Sequence, residues 1–468
     1  MRLSKAKDHH AAVPPPPGPP HASRQTSAAG AHPRPVDLGT SPGSLPEGAV
    51  GAPLLPDVSD LRAVDDDVPA AVGRLLGELL AARTAQAATL DQVFAHDLAE
   101  RVARFTLDGG KRTRSQFVWW ALRACGGEGG AAAAALRVGA ALELIQTCAL
   151  VHDDVMDGSR LRRGRPALHA DVEAQYATVA PTAQDARFGE AAAILAGDLA
   201  LAWADDVLAD TELAPDTARR VRGLWSAMRM EMVAGQYLDV QGQITSSRSS
   251  ARAVRAACLK SALYSVERPL ALGAALAGAD AATTAALCSA GRCVGIAFQL
   301  RDDLNDVFGS ATRTGKPTGD DIRSGKPTYL VAVAQARAEA AGDRGALSVL
   351  RRSLGRADLS ETGLAEVRGV LVATGARETV EARIERLAGQ GMRHLDSVTL
   401  RRDGRQRLRE LLRAAAGAPP AGRTPYGPSD LSDLSDPSDP SAGRAEAAGG
   451  APGSLLLTAT AGAEGATR

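Results

Sequence analysis

Two long apolar stretches of this 468-residue chain each run into the same triplet of carboxylates. ALELIQTCALV leads into Asp153, Asp154 and Asp157, and GRCVGIAFQL leads into Asp302, Asp303 and Asp306. Both triplets read D-D-x-x-D. On a helix, residues four apart share a face, so Asp153 aligns with Asp157 and Asp302 with Asp306. An apolar helix is drawn into a core, and buried carboxylates without a partner are costly. A fold that buries both stretches must therefore bring cations to both acidic ends. A solvated face and, at the second triplet, salt bridges to Arg292 and Arg301 are the plainer alternatives. The recurrence of the spacing favours a shared metal role over either.

The remaining pattern is helical. VGRLLGELLAARTAQAATLDQVFAHDLAERVARF (Val72 to Phe105) places apolar residues three and four apart, and aromatics make up only 3% of the chain. These features predict one all-α domain over about residues 58 to 416. Loops are expected at Gly126 to Gly130 and at Ala180 to Phe188. Residues 1 to 57 and 417 to 468 are rich in Pro, Ala, Gly and Ser and are expected to be disordered tails. The repeat SDLSDLSDPSDPS (Ser429 to Ser441) reads as a solvated appendage rather than an acidic interaction tail. No internal repeat of fixed period is evident.

Lys plus Arg and Asp plus Glu both number 54, so no global charge argues for a nucleic-acid partner. The five cysteines, Cys125, Cys148, Cys258, Cys288 and Cys293, show no metal-ligand or paired spacing and read as buried thiols of a reducing compartment. The N-terminus has no apolar signal core, and no membrane span is expected, which together suggest a cytoplasmic protein.

Carboxylates at this spacing suit Mg²⁺, which takes oxygen ligands and usually bridges to substrate phosphates. Arg160, Arg162, Arg163 and Arg165 follow the first triplet at once. Acids that hold metal beside arginines that hold phosphate point to chemistry on a diphosphate. Gly109-Gly110-Lys111-Arg112-Thr113-Arg114 is a glycine turn opening a helix, which makes an anion site or a plain basic loop. Lys260-Ser261 is uninformative alone. GKPTGDDIRSGKPT (Gly315 to Thr328) carries Lys316 and Lys326 on a loop of the kind that closes over phosphates.

Taken together, GGKRTR, HDDVMDGSRLRRGRP, EMVAGQYLD (Glu231 to Asp239), LKSALYS, FQLRDDLND and GKPTGDDIRSGKPT resemble, in order, the motifs of the trans-isoprenyl diphosphate synthases. The chain is most similar to the bacterial geranylgeranyl diphosphate synthases, over about residues 70 to 400. The resemblance implies a bundle of mostly antiparallel helices around a deep central cavity. It implies about three Mg²⁺ held by Asp153, Asp157, Asp302, Asp303 and Asp306, with Asp154 further back. It assigns the allylic diphosphate to Arg162, Lys260, Lys316 and Lys326, and isopentenyl diphosphate to Lys111, Arg114 and Arg163. Gln146 stands where the family has His or Gln, and Gln299 resembles the residue facing the developing carbocation. Two departures are Ser115 for the usual proline and Ser261 for the usual threonine, each keeping the chemistry plausible. A homodimer is the family expectation.

The implied reaction is ionisation of an allylic diphosphate (dimethylallyl, geranyl or farnesyl), attack by isopentenyl diphosphate, and proton loss. The released pyrophosphate is the expected base, and His152 reads as structural. Counting back from Asp153 by turns gives Ala149 and Cys148, then Ile145, then Leu142. A turn rises about 5.4 Å, roughly one isoprene unit. The small pair passes the chain and the larger pair slows it, which predicts twenty carbons, with farnesyl or longer products as the alternative. Trp119 or Trp203 could move the floor. A class I terpene cyclase is disfavoured because no N-x-x-x-S-x-x-x-E motif is present. A non-catalytic partner subunit is disfavoured because both aspartate motifs are kept.

Overall fold

The computed structural model describes residues 61–179, 182–245, 249–309 and 318–417. Both tails and Lys316 lie outside the described residues, as do the tail expectations. The described chain is all-α apart from one two-stranded hairpin, Leu161–Arg162 with Arg165–Pro166. That hairpin falls within RLRRGRP, where no strand was expected. Its turn residues, Arg163 and Gly164, have φ of 55° and 74°. Positive φ at both positions is what a two-residue hairpin turn requires, and glycine fills one of them without strain.

The first-aspartate helix, Gly130–Met156, is the central element. Its mean composition is apolar, and Leu142, Leu144 and Ile145 are at most 1% exposed. It packs against helices Thr113–Ala124 and Thr182–Ala209. The second-aspartate helix, Ala281–Phe308, starts at Asp280, whose carboxylate accepts from Thr283 N at 2.7 Å. Such a cap satisfies a backbone donor that the first turn leaves open. This helix packs against Ala376–Asp396 and against a π-helix, Cys258–Glu267. Helix Pro215–Ile244 packs on the same π-helix from another side. Phe117, Trp119, Met228, Leu270 and Leu287 fill the space between these helices.

One expectation changes here. Helix Thr182–Ala209 covers most of the stretch expected to be a loop. Its start, TAQDARFGE, is too polar to show a helical stripe, and the apolar run that packs the helix begins only at Ala191. By length and composition alone, two helices, Gly130–Met156 and Ala281–Phe308, are apolar enough to cross a membrane, although the sequence has no uninterrupted apolar run of that length. The first has 83% of its apolar window buried inside the fold, so its hydropathy is that of a core helix.

The N-terminal helix Leu61–Asp66 is tied to the bundle through Asp65. Its carboxylate accepts from Trp119 Nε1 at 2.8 Å and from Arg123 Nη2 at 3.0 Å. Asp65→Ala leaves a buried indole donor and an arginine without their acceptor. The expected loss is about 1–3 kcal/mol in chemical denaturation, with substrate KM values unchanged.

Candidate active site

The first triplet closes the helix Gly130–Met156, with Asp157 as its C-terminal cap. Asp153 Oδ1 accepts from Lys260 Nζ at 2.8 Å and from Gln236 Nε2 at 3.0 Å. Lys260 Nζ also reaches Asp239 Oδ2 at 2.8 Å. Burial raises the Asp153 carboxyl, but Lys260, Lys326 and Arg162 outweigh it and hold it at about 2. Lys260 is lowered by burial and by Lys326, yet Asp153 and Asp239 more than compensate and keep it protonated. Asp154 is turned away, 1% exposed, with Arg162 Nε donating to it at 2.9 Å. Asp157 lies at the exposed rim, where partial desolvation and Asp153 raise it.

The close approach that joins these groups depends on Gly235. A Cβ there would lie 2.0 Å from Lys260 N and 2.5 Å from Lys260 Cα. Only a residue without a side chain lets helix Pro215–Ile244 lie so near the π-helix. Gln236 and Asp239, three residues apart on that helix, then reach Asp153 and Lys260 together.

At the second triplet, Gln299 Nε2 donates to Asp303 Oδ1 at 2.7 Å, and Asp306 Oδ2 accepts from Asp321 N at 3.1 Å. Burial, followed by the neighbouring Asp321, pushes both Asp303 and Asp306 up to about 8. Lys326 Nζ is 3.4 Å from Asp321 Oδ1. Asp321 above all raises Lys326 well beyond its ordinary value, with Asp239, Asp153 and Asp157 adding to the effect against burial. One lysine thus feels both triplets.

A second, cationic locus adjoins the first. Burial pulls Arg163 down, and Arg162, Arg112 and Arg114 add to it. Arg112 adopts φ 51° and folds inward, bonding Glu143 Oε2 at 3.1 Å and the carbonyls of Thr106 and Leu107 at 2.8 and 2.9 Å. Ser115 Oγ donates to the same Glu143 carboxylate at 2.8 Å. With Arg112 committed inward, Lys111 is exposed and Arg114 stands beside it at the start of helix Thr113–Ala124. Arg114 Nη2 donates to Ser265 Oγ at 2.6 Å, and its guanidinium lies 4.3 Å from the Tyr264 ring centroid. Tyr264 Oη donates to Gln146 Oε1 at 2.7 Å. Among the described residues, Arg114 Nε is buried and meets no acceptor.

Along the face below Asp153, Cys148 is 8% exposed, Ile145 1% and Leu142 fully buried, while Ala149 is half-buried. Burial pushes the Cys148 thiol up to about 12, so it behaves as a small apolar group. His152 Nε2 is 3.0 Å from the Ile194 carbonyl, a helix-to-helix contact. Ser261 lies half-buried beside Lys260.

Residues 96–361 match the polyprenyl synthetase family model. The chain belongs to the polyprenyl synthetase family. It is 35% identical over 270 residues to a farnesyl diphosphate synthase of Geobacillus stearothermophilus, covering 55% of this chain and 82% of that protein. It is 34% identical over 272 residues to a geranylgeranyl diphosphate synthase of Mycobacterium tuberculosis, covering 56% and 69%. A crystal structure of geranylgeranyl pyrophosphate synthase from Corynebacterium glutamicum, complexed with isoprenyl diphosphate and magnesium, superposes with a TM-score of 0.69 at 37% identity. It covers 74% of this chain and 98% of that one. The polyprenyl synthetases are trans-prenyltransferases that act on isopentenyl and allylic diphosphates with a divalent metal. The Asp303 and Asp306 carboxyls fit such an ion, being all-oxygen donors that burial keeps from ionising alone. Among the described residues no three acids, His or Cys converge into a complete ligand set, so substrate oxygens and water would supply the rest.

Gln236, Asp239, Asp321, Tyr264 and Ser265 belong to the site yet received no role from the sequence. Gln236 and Asp239 carried a signal in their i, i+3 spacing beside Gly235; the others carried none until the helices were assembled. Unfolded aspartate titrates near ~3.9, so between about pH 4 and 8 the folded metal-free state holds protons that the unfolded state has lost. Stability should therefore fall as pH rises through that window. Added Mg²⁺ should raise Tm more at about pH 8 than at about pH 6, where it must displace protons. Asp303→Asn should flatten that difference. Melting curves at both pH values check this, and equal Mg²⁺ shifts would count against it.

Proposed function

We propose that the chain condenses isopentenyl diphosphate with allylic diphosphates, head to tail, releasing pyrophosphate and stopping at twenty-carbon geranylgeranyl diphosphate. The observation that carries this reading is the buried, unpartnered Arg114 Nε within the cluster of Arg112, Arg114, Arg162 and Arg163. It makes a second anion site beside the aspartate site, and a cyclase that ionises one diphosphate needs no such second site. The likeness to the Corynebacterium enzyme supports the same conclusion.

In this reading Asp153, Asp157, Asp302, Asp303 and Asp306 would hold Mg²⁺, about three ions, with Asp154 orienting Arg162 behind them. The ions would supply charge neutralisation for the departing diphosphate. Lys260, Lys326 and Lys316 act in the same sense, and because leaving-group charge peaks in the transition state, their contribution appears in rate. Arg162 holds the allylic diphosphate; Lys111, Arg114 and Arg163 hold isopentenyl diphosphate, with Gln146 beside them. Gln299, whose amide nitrogen donates to Asp303, stands as the residue that meets the developing positive charge. Apolar side chains below the triplet keep water from the cation. Ser261 lines the turn that carries Lys260.

Asp153→Ala or Asp302→Ala should lower turnover by roughly 10²–10³-fold or more. Asp153→Ala should also lower Tm, because it leaves Lys260 with only one of its two carboxylates. Near-normal turnover in either variant would remove the metal assignment. Product length is set on the Cys148, Ala149, Ile145, Leu142 face. Cys148→Phe should shift the main product to fifteen carbons, and Ile145→Ala should lengthen it, by chromatography of dephosphorylated products. An unchanged product in Cys148→Phe would place the growing chain elsewhere.

We also propose a homodimer. Met230, Val233 and Tyr237 lie three and four residues apart on helix Pro215–Ile244 and are 72%, 71% and 69% exposed. A stripe of this kind is what a second copy would cover. Val233→Glu should yield a monomer in analytical ultracentrifugation, against a dimer for the unaltered chain.

A further inference from the structure

Lys260 and Ser265 are five residues apart. On an α-helix they would point about 140° apart. The segment Cys258–Glu267 is instead π-helical, and its i to i+5 hydrogen bonding brings such residues onto one face. Lys260 consequently reaches Asp153, while Ser265, on the next turn, reaches Arg114. One helix face touches both anion sites.

Ser265 is 2% exposed and Tyr264 3%. Together they hold the Arg114 guanidinium by a hydrogen bond at 2.6 Å and by stacking at 4.3 Å. Tyr264 also fixes Gln146, at 2.7 Å. The guanidinium is thereby fixed with its buried Nε still lacking an acceptor. An arginine held in place loses less freedom when it binds an anion, so its positioning appears as affinity.

We propose that Ser265, assisted by Tyr264, is a positioning residue for isopentenyl diphosphate, acting through Arg114. We further propose that the π-helical winding allows a single segment to serve both diphosphate sites. This rests on the assignment of Arg114 to isopentenyl diphosphate in the proposed function. Ser265 donates no proton and forms no bond in the reaction; its effect is confined to one substrate.

The test is steady-state kinetics of the full chain with Mg²⁺, varying isopentenyl diphosphate and farnesyl diphosphate separately. Calorimetric binding of isopentenyl diphosphate alone accompanies it. Ser265→Ala should raise the KM and Kd for isopentenyl diphosphate roughly three- to tenfold. The KM for farnesyl diphosphate should stay within about twofold, and kcat should change less than the isopentenyl KM. Ser265→Thr, which keeps the hydroxyl, should restore most of the loss. Tyr264→Phe, which keeps the stack, should cost less than Tyr264→Leu. If Ser265→Ala leaves the isopentenyl KM unchanged, or raises both KM values together with a fall in Tm, the positioning role is overturned while the proposed function stands. If the unaltered chain shows no saturable use of isopentenyl diphosphate, both readings fall.

Discussion

Lys260 lies 2.8 Å from Asp153 on the first-aspartate helix and 2.8 Å from Asp239 on the Pro215–Ile244 helix. Buried carboxylates cannot stay ionised without compensation. This lysine, with Lys326, keeps Asp153 and Asp239 ionised, while burial pushes Asp303 and Asp306 the opposite way. The contrast divides the site. In the first triplet protein cations hold Asp153 ionised, although burial raises Asp154 and Asp157, whereas Asp303 and Asp306 are pushed up to about 8 by burial and by Asp321. Adding a divalent cation would relieve the second triplet most. Substrate phosphates would compete with the aspartates for the lysines.

The arrangement needs close packing to work. Gly235 lets two helices meet at backbone distance, and the π-helix turns Lys260 and Ser265 to one side. The tight hairpin turn at Arg163-Gly164 returns Arg163 toward the GGKR turn, where its Nη1 donates to the Asp108 carbonyl at 3.0 Å. Arg112, in the same turn, serves the fold. Its buried pair with Glu143 anchors the left-handed residue that starts the next helix. Ser115, where the family pattern has proline, adds a hydroxyl to that same carboxylate.

Much of this was legible in the sequence because it is local. Helical periodicity gave the fold class, and the repeated D-D-x-x-D gave both acidic ends. The partners of residues whose roles depend on a distant contact were not legible. Asp239 is 21 residues from Lys260, and Ser265 is 151 from Arg114. Nothing in either local segment marks the pairing. The helical start at Thr182 was hidden by polar residues. The π-helix had no sequence mark at all, since the same residues read equally well as an α-helix.

The central claim is that a metal-bound diphosphate takes over the acids that Lys260 and Lys326 now neutralise. A crystal structure with Mg²⁺ and an unreactive allylic diphosphate tests it most directly. The account predicts ions joining diphosphate oxygens to carboxylates of both triplets, with the Lys260 ammonium moved from Asp153 to the diphosphate. A diphosphate bound without metal, or bound with Lys260 still on Asp153 and the second triplet empty, would contradict it.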